Sequence, residues 1–202
     1  MINTKKSVKT TEGYDLKNPS FVRFLFNDPR MAWLWLIVRV LAGIKWLQLA
    51  WNDKLLNDAW MDGTIVKGFW EFSLAIPEGR TDNNIIYGWY EDFIRFMLDN
   101  ELYRIEAPLQ AVAETAIGVA FILGAFTGFF ALLACFLHWN YIMIGSAGTN
   151  GLLFPAAVLL VAAWKTAGYY GLDYFLIRRV GALWTPRKID QPEPEPTRQP
   201  AT

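Results

Sequence analysis

Three ionisable side chains lie deep inside segments that are mostly apolar: Arg39, Glu114 and His138. A charged group at the centre of a membrane helix costs roughly 2.5 to 3.5 kcal/mol on insertion scales, so each one needs a partner or a function. Counted along helices of alternating direction, the three lie at similar depth. The simplest arrangement faces Arg39 toward Glu114, with His138 and Asn140 nearby. This set predicts proton exchange inside a membrane; the alternative is that Arg39 and Glu114 only fix helix register.

The composition limits what chemistry the chain supplies by itself. It has a single cysteine, Cys135, and a single histidine, His138. One thiol excludes an intrachain disulfide, a CxxC pair and a chain-encoded iron–sulfur cluster, and one imidazole excludes a bis-histidine haem and an HExxH zinc site. Haem ligation by one histidine stays open. Since GxGxxG and P-loop motifs are absent too, we expect no metal, haem or flavin encoded by this chain.

The overall composition predicts a membrane protein. Hydrophobic residues make up 53% of the 202 residues, and the net charge of zero gives no support to nucleic-acid binding. A helix needs about 20 apolar residues to cross the hydrocarbon core. Four segments come near that length: 31–51, 107–124, 129–145 and 152–177. Asp28 and Pro29 form a good start for the first of them. The predicted fold is all-α, an integral membrane four-helix bundle spanning 31–177.

Charge next to the spans predicts the orientation. Basic residues are frequent in the N-terminal segment 1–30 and at the start of the tail 178–202. The connection 52–106 carries five basic residues against eleven acidic ones. The positive-inside rule therefore predicts a protein of the cell (inner) membrane with both termini in the cytoplasm. Residues 52–106 then lie on the outer side of that membrane. Within 52–106, residues 85–99 form an amphipathic helix that we expect to cap the bundle. The proline-rich tail is expected to be disordered.

Other polar residues near the ends of the spans have simpler explanations. Lys45 and Lys54 lie toward the outer end of the first span, where their long side chains reach the interface without a functional role. Lys165 and Asp173, with the neighbouring tyrosines, are typical of an interfacial belt at the cytoplasmic side. We expect neither group to take part in chemistry.

The order of several motifs resembles the DoxX/DoxD family of small four-helix membrane proteins. The stretches that carry the resemblance are Arg39 with Gly43, AWNDKLLNDAWMDG, Gly68-Phe69, AETAIGVAFILGAFTGF, Asn140 with Gly145-Ser146, Thr149-Asn150 and AGYYGLDYFL. The likeness covers about residues 31–177. It implies a membrane subunit of a quinone-linked oxidoreductase, of which the large subunit of thiosulfate:quinone oxidoreductase is the best-known branch.

A quinone needs an apolar slot, hydrogen-bond donors for its carbonyl oxygens and a route for protons. We expect Arg39 or His138 to hydrogen-bond a carbonyl and Glu114 to exchange protons, with Asn140 nearby. The stacking walls would be Trp46 and Trp139. The chain, embedded in the lipid bilayer, contains no recognisable electron carrier, so a partner subunit must supply the electrons. The alternative is a non-catalytic subunit that packs against a larger respiratory or photosynthetic complex through its Trp-rich outer cap.

Overall fold

A computed structural model of the protein describes residues 8–9, 15–16, 19–146, 148 and 150–180. Apart from a two-residue antiparallel pairing of Val8–Lys9 with Asp15–Leu16, the described elements are helices, which confirms the predicted all-α class. The α-helices are α1 Ser20–Asn27, α2 Ala32–Ala50, α3 Asp58–Met61, α4 Thr64–Leu74, α5 Gly88–Asp99, α6 Tyr103–Leu123, α7 Thr127–Met143, α8 Asn150–Ala162, α9 Trp164–Ala167 and α10 Asp173–Val180. Most of the predicted disordered tail, residues 181–202, lies outside the described residues.

Two helical segments are long and apolar enough to cross a membrane. One is α6, and the other is the continuous segment Pro29–Leu55, which joins a 3-10 turn, α2 and a π turn over Trp51–Leu55. Its start is the predicted one, because the Asp28 carboxylate accepts a hydrogen bond of 2.9 Å from the Arg30 backbone nitrogen. The apolar helices Thr127–Met143 and Gly151–Ala162 are shorter.

Helices α2 and α6 pack with their backbones in close approach. A Cβ atom built on Gly118 would lie 2.7 Å from Cγ of Leu47 and 3.0 Å from the carbonyl oxygen of Gly43. Because either glycine would clash with the other helix if it carried a side chain, this crossing depends on both. The core of the bundle forms around it, with Trp46, Ile117 and Phe121 fully buried.

The predicted fourth span over 152–177 is wrong as a single helix. Helix α8 ends at Ala162, and Ala163 leaves the helical conformation with φ −95° and ψ 6°. After α9 the chain turns toward the α6–α7 connection. There the Leu172 and Asp173 nitrogens donate to the carbonyl oxygens of Leu123 and Gly124 at 3.1 and 2.7 Å. These long-range bonds replace the helical ladder that a hydropathy pattern alone favours.

The connection between α2 and α6 is folded, as predicted, and its position outside a membrane stays a prediction. Helices α3, α4 and α5 enclose a second core that includes Trp70, Tyr90, Ile94 and Tyr103. Met143 at the end of α7 joins this core, so the cap sits on the end of the bundle where α7 finishes. We call this the cap end. The opposite end contains the tight α6–α7 turn, where Gly124 adopts φ +66°.

Candidate functional site

Lys54, Glu114 and Tyr141 meet at the cap end of the bundle. The Lys54 ammonium lies 2.5 Å from Oε1 of Glu114 and donates to the Tyr141 hydroxyl oxygen at 2.6 Å. The Tyr141 hydroxyl also lies 2.6 Å from Glu114 Oε1. The side chains of Lys54 and Glu114 are only 8% and 2% exposed. We call these three residues the KEY cluster. It consists of an ammonium group, a carboxyl group and a phenol, each in contact with the other two.

The local structure around Lys54 explains how a lysine reaches the interior. Lys54 stands in the π turn that ends the first long helix, an uncommon conformation that occurs often at functional sites. Its ammonium lies 4.4 Å from the centre of the Trp60 ring, within range of a cation–π interaction. The Trp60 indole is itself fixed by donating to the Ala107 carbonyl at 3.2 Å. The cap helix α3 therefore covers the lysine and holds its covering ring in place.

A row of polar side chains on α6 leads from the KEY cluster toward the cap. Glu106, Gln110 and Glu114 are four residues apart and share one face of the helix. In one orientation of its amide, Gln110 donates to Glu114 Oε1 at 3.3 Å. In the other, its nitrogen donates to Glu106 Oε1 at 3.0 Å, while its oxygen accepts from Lys54 at 2.9 Å and from Tyr141. Gln110 therefore lies between the two carboxyl groups and donates to Glu114 in one orientation and to Glu106 in the other.

The charges of this group do not balance. Apart from the exposed Asp53, one ammonium, on Lys54, interacts electrostatically with two carboxyl groups, Glu114 and the half-buried Glu106. The set is neutral only when one carboxyl carries a proton, and a low dielectric favours neutrality. In addition, the buried Oε2 of Glu114 has no hydrogen-bond partner among the described residues. The arrangement is thus able to hold one exchangeable proton and to bind one more polar atom.

His138 and Trp46 lie together, as the sequence predicts for a common site, but one turn further from the cap. Their ring centres are 4.7 Å apart, and each residue is 1% exposed. His138 is three positions before Tyr141 on α7, so both project into the bundle. These two rings lie on the side of the KEY cluster that is away from the cap.

Asn140 and Trp139 face the cap helix α5. The Tyr90 hydroxyl donates to Oδ1 of Asn140 at 3.0 Å, and Trp139 stacks on Trp89 with ring centres 6.3 Å apart. Burial, and secondarily the charge of Glu106, raise the pKa of Tyr90 to about 12. Asn140 and Trp139 therefore hold α5 against α7, and they are separate from Trp46, the other predicted stacking residue.

The predicted facing of Arg39 toward Glu114 is wrong. Arg39 is fully buried at the opposite end of the bundle, where its guanidinium donates to the Tyr170 carbonyl at 2.9 Å. A Cβ atom on Gly124 would lie only 1.6 Å from Nη1 of Arg39, so the glycine makes room for the guanidinium. Lys54 follows Arg39 by fifteen positions, roughly 22 Å along a helix, so the predicted equal depth is wrong as well.

Asp173 completes the arrangement around Arg39. Its carboxylate accepts from the backbone nitrogens of Phe126 and Thr127 at 2.6 and 2.8 Å, so it caps the start of α7 from a distant part of the chain. It also interacts electrostatically with Arg39. Asp173 is 5% exposed, and the interpretation of this residue as part of an interfacial belt is therefore wrong.

Lys54 is the site residue that the sequence analysis missed. A signal for it was present, because Arg39, Gly43, Trp46 and Ala50 recur every three or four residues on the buried face of α2. Lys54 is the next member of that series. Its position near the end of an apolar run favoured the interpretation as an interfacial lysine.

The described part of the chain contains no group of three or more histidine, cysteine, aspartate and glutamate side chains placed to hold a metal ion. Comparisons with protein-family models, with curated proteins and with solved structures give no match to this chain. The family resemblance therefore stays a prediction, and the function is argued from the KEY cluster and its surroundings.

Proposed function

We propose that this chain is an integral membrane subunit of a quinone-linked oxidoreductase, and that the KEY cluster binds the quinone ring and exchanges protons with it. The observation that carries the proposal is the buried contact of Lys54, Glu114 and Tyr141, three proton-bearing groups within 2.6 Å of one another. Ionisable groups that converge in an apolar interior are typical of functional sites.

The outer surface of the bundle supports a position in the membrane. Large apolar side chains are exposed along the outward faces of three helices: Trp33, Ile37, Leu41 and Ile44 on α2, Leu109, Val112, Val119 and Leu123 on α6, and Phe129, Leu132 and Phe136 on α7. Soluble monomers rarely expose continuous apolar surface of this extent. We propose that α2, α6, α7 and the α8–α9 segment are the four spans, with the cap end outside the cell.

The residues of the cluster suit the chemical needs of a quinone. The Lys54 ammonium and the Tyr141 hydroxyl are donors for a ring carbonyl oxygen, and Oε2 of Glu114 is free among the described residues to bond one more polar atom. The neighbouring rings of Trp46 and His138 provide apolar contact on the side away from the cap. These groups fit an aromatic ligand that carries polar oxygens.

Quinone reduction to quinol takes up two electrons and two protons. The electrons come from a partner oxidoreductase subunit, because the chain has no carrier of its own. Glu114 and Tyr141 give protons to the ring oxygens and are reprotonated from the cap end, the side on which Glu106 lies. Gln110 orients the neighbouring groups by its hydrogen bonds and carries no proton itself. Lys54 holds the Glu114 carboxylate in place between transfers.

Purification from the native membrane in mild detergent tests the proposal. Quinone is extracted from the purified protein and counted per chain, and co-purifying proteins are identified in the same sample. We expect about one quinone per chain in the wild type and a loss in Glu114→Gln and Tyr141→Phe, which keep side-chain shape. The control is Glu71→Gln, because Glu71 is exposed on α4. It should keep the wild-type quinone content.

The outcomes separate the alternatives. Equal quinone content in Glu114→Gln and in the wild type, with both proteins eluting as folded species, contradicts the role of the cluster. A stable large partner complex without quinone assigns the chain to the class of structural subunits, and the buried polar groups then serve packing.

A further inference from the structure

Helix α5 has an exposed aromatic face that its role as a cap does not use. Tyr90 and Ile94 are buried in the cap core, and they account for one side of the helix. A second side carries three exposed aromatic residues, namely Trp89, Phe93 and Phe96. At 3.6 residues per turn these three fall within an arc of about 60°.

The third side of α5 is charged. Its exposed residues are Asp92, Arg95 and Asp99, which fall within another arc of about 60° on the side of the aromatic face that is away from the buried one. A helix in water needs one buried and one polar face. Helix α5 has in addition an apolar face that meets the cap core only at its edge, where Trp89 and Phe93 contact the Tyr90 ring. The rest of this face is exposed, and contact with an apolar medium would bury it.

The aromatic face of α5 continues the outward face of α7. Trp89 stacks on Trp139 with an angle of 22° between the ring planes. Trp139 in turn lies 6.2 Å from Phe136, which belongs to the exposed apolar row on α7. The surface that the proposed function places against lipid therefore runs without interruption from α7 onto α5.

We infer that α5 lies at the polar boundary of the lipid bilayer, with Trp89, Phe93 and Phe96 in the upper acyl-chain region and the charged arc in water. The inference rests on the membrane position given in the proposed function. Tryptophan rings prefer this boundary, which suits the stacked pair of Trp89 and Trp139. Since Asp92 and Asp99 outnumber Arg95, attraction to anionic lipid does not drive the contact; burial of apolar surface does.

This position assigns a depth to the KEY cluster. Tyr141 follows Trp139 by two residues, about 3 Å along the helix axis. The cluster therefore lies at the level of the lipid headgroup boundary rather than at the bilayer midplane. Protons from the aqueous side then need to pass only the cap, by way of Glu106, to reach Glu114.

Spin labels on single cysteines in the full-length protein test this inference. In a Cys135→Ser background, labels are placed at Phe93→Cys, Phe96→Cys, Asp92→Cys and Asp99→Cys, and the protein is reconstituted into phosphatidylcholine vesicles. Collision rates are measured with oxygen, which concentrates in lipid, and with a water-soluble nickel chelate. We expect oxygen to dominate at positions 93 and 96 and the nickel chelate to dominate at 92 and 99.

A label at Leu132→Cys on α7 separates the inference from the membrane position on which it rests. Lipid exposure at 132 combined with water exposure at 93 and 96 overturns the inference alone. Water exposure at 132 overturns the membrane position as well. Shielding of 93 and 96 from both reagents means that a protein partner covers this face, which also contradicts contact with lipid.

Discussion

The Lys54 ammonium lies 2.5 Å from the Glu114 carboxylate, although the two residues are 60 positions apart in the chain. Their contact ties the end of the first long helix to the middle of α6. Both side chains are buried, so neither charge is solvated by water and each depends on the other. The same dependence that stabilises the pair makes it sensitive to protonation, which is the property the proposed function uses.

Removal of one partner of this pair is expected to destabilise the protein strongly. Lys54→Met leaves the buried Glu114 without its ion-pair partner, and Glu114→Leu leaves the Lys54 ammonium without a carboxylate in direct contact among the described residues. The expected loss in free energy of unfolding is about 3 to 5 kcal/mol. The double variant Lys54→Met/Glu114→Leu removes both charges and should recover most of that loss. Thermal unfolding in one detergent measures all three variants.

The exposed pair of Lys67 and Glu71 on α4 is the matched control. Nζ of Lys67 lies 3.8 Å from Oε1 of Glu71, and both side chains are close to half exposed. Lys67→Met should change stability by less than about 1 kcal/mol. If the double variant at 54 and 114 is as unstable as the worse single variant, the charges are not what couples the two residues.

The helices were predictable from the sequence because apolar length and breaking residues are local signals. The start at Asp28-Pro29 and the break at 124–128 both appear in the structure. The end of the predicted fourth span was not predictable in the same way. After α9 the chain is held by hydrogen bonds from residues 172 and 173 to the α6–α7 turn, contacts between parts of the chain that are distant in sequence.

The site was predicted in part, since Glu114 is central to it and His138 and Trp46 lie one turn away. The partner of Glu114 was wrong because depth was counted from residue numbers alone. Arg39 turns toward Gly124, whose missing side chain makes room for the guanidinium. Counting residues along the helices cannot predict this direction. Lys54 stands near a helix end, where a lysine usually reaches water, and only the covering Trp60 ring changes that.

The crossing of α2 and α6 should not tolerate a side chain at Gly118. Gly118→Val forces contact with Leu47 and with the Gly43 backbone, and we expect a loss of about 1 to 3 kcal/mol or more in free energy of unfolding. Thermal unfolding measures the change. Gly68→Ala is the control, since nothing lies within 4 Å of a Cβ there and α4 gains helix propensity. Similar losses in both variants would contradict a specific role for the crossing.

Asp173 is expected to hold the opposite end of the bundle together. Asp173→Ala removes two hydrogen bonds to the first turn of α7 and leaves Arg39 without its nearby negative charge, so we expect a loss of about 2 to 4 kcal/mol. Asp173→Asn keeps one acceptor and should cost less. Chemical denaturation of both variants is compared with that of Asp92→Ala, whose carboxylate is exposed on α5. An equal effect in Asp92→Ala would show that the loss is not due to the cap.

Tyr90 gives the cap a dependence on alkaline pH. Its pKa of about 12 in the folded protein exceeds the ordinary value of 10, so the folded state keeps the phenol neutral where the unfolded state has lost the proton. Stability from this residue is therefore complete below pH 10 and falls as the pH rises from 10 to 12. Tyr90→Phe should remove this part of the pH dependence, as measured by unfolding at several pH values.

Absorbance of ionised tyrosine gives an independent reading of the same group. The step near pH 12 should be present in the wild type and missing in Tyr90→Phe. It should stay in Tyr87→Phe, because the Tyr87 side chain is exposed just before α5 begins. A step that survives in Tyr90→Phe assigns the high pKa to another tyrosine. In that case the hydrogen bond from Tyr90 to Asn140 still attaches α5 to α7, but Tyr90 is not the source of the alkaline pH dependence.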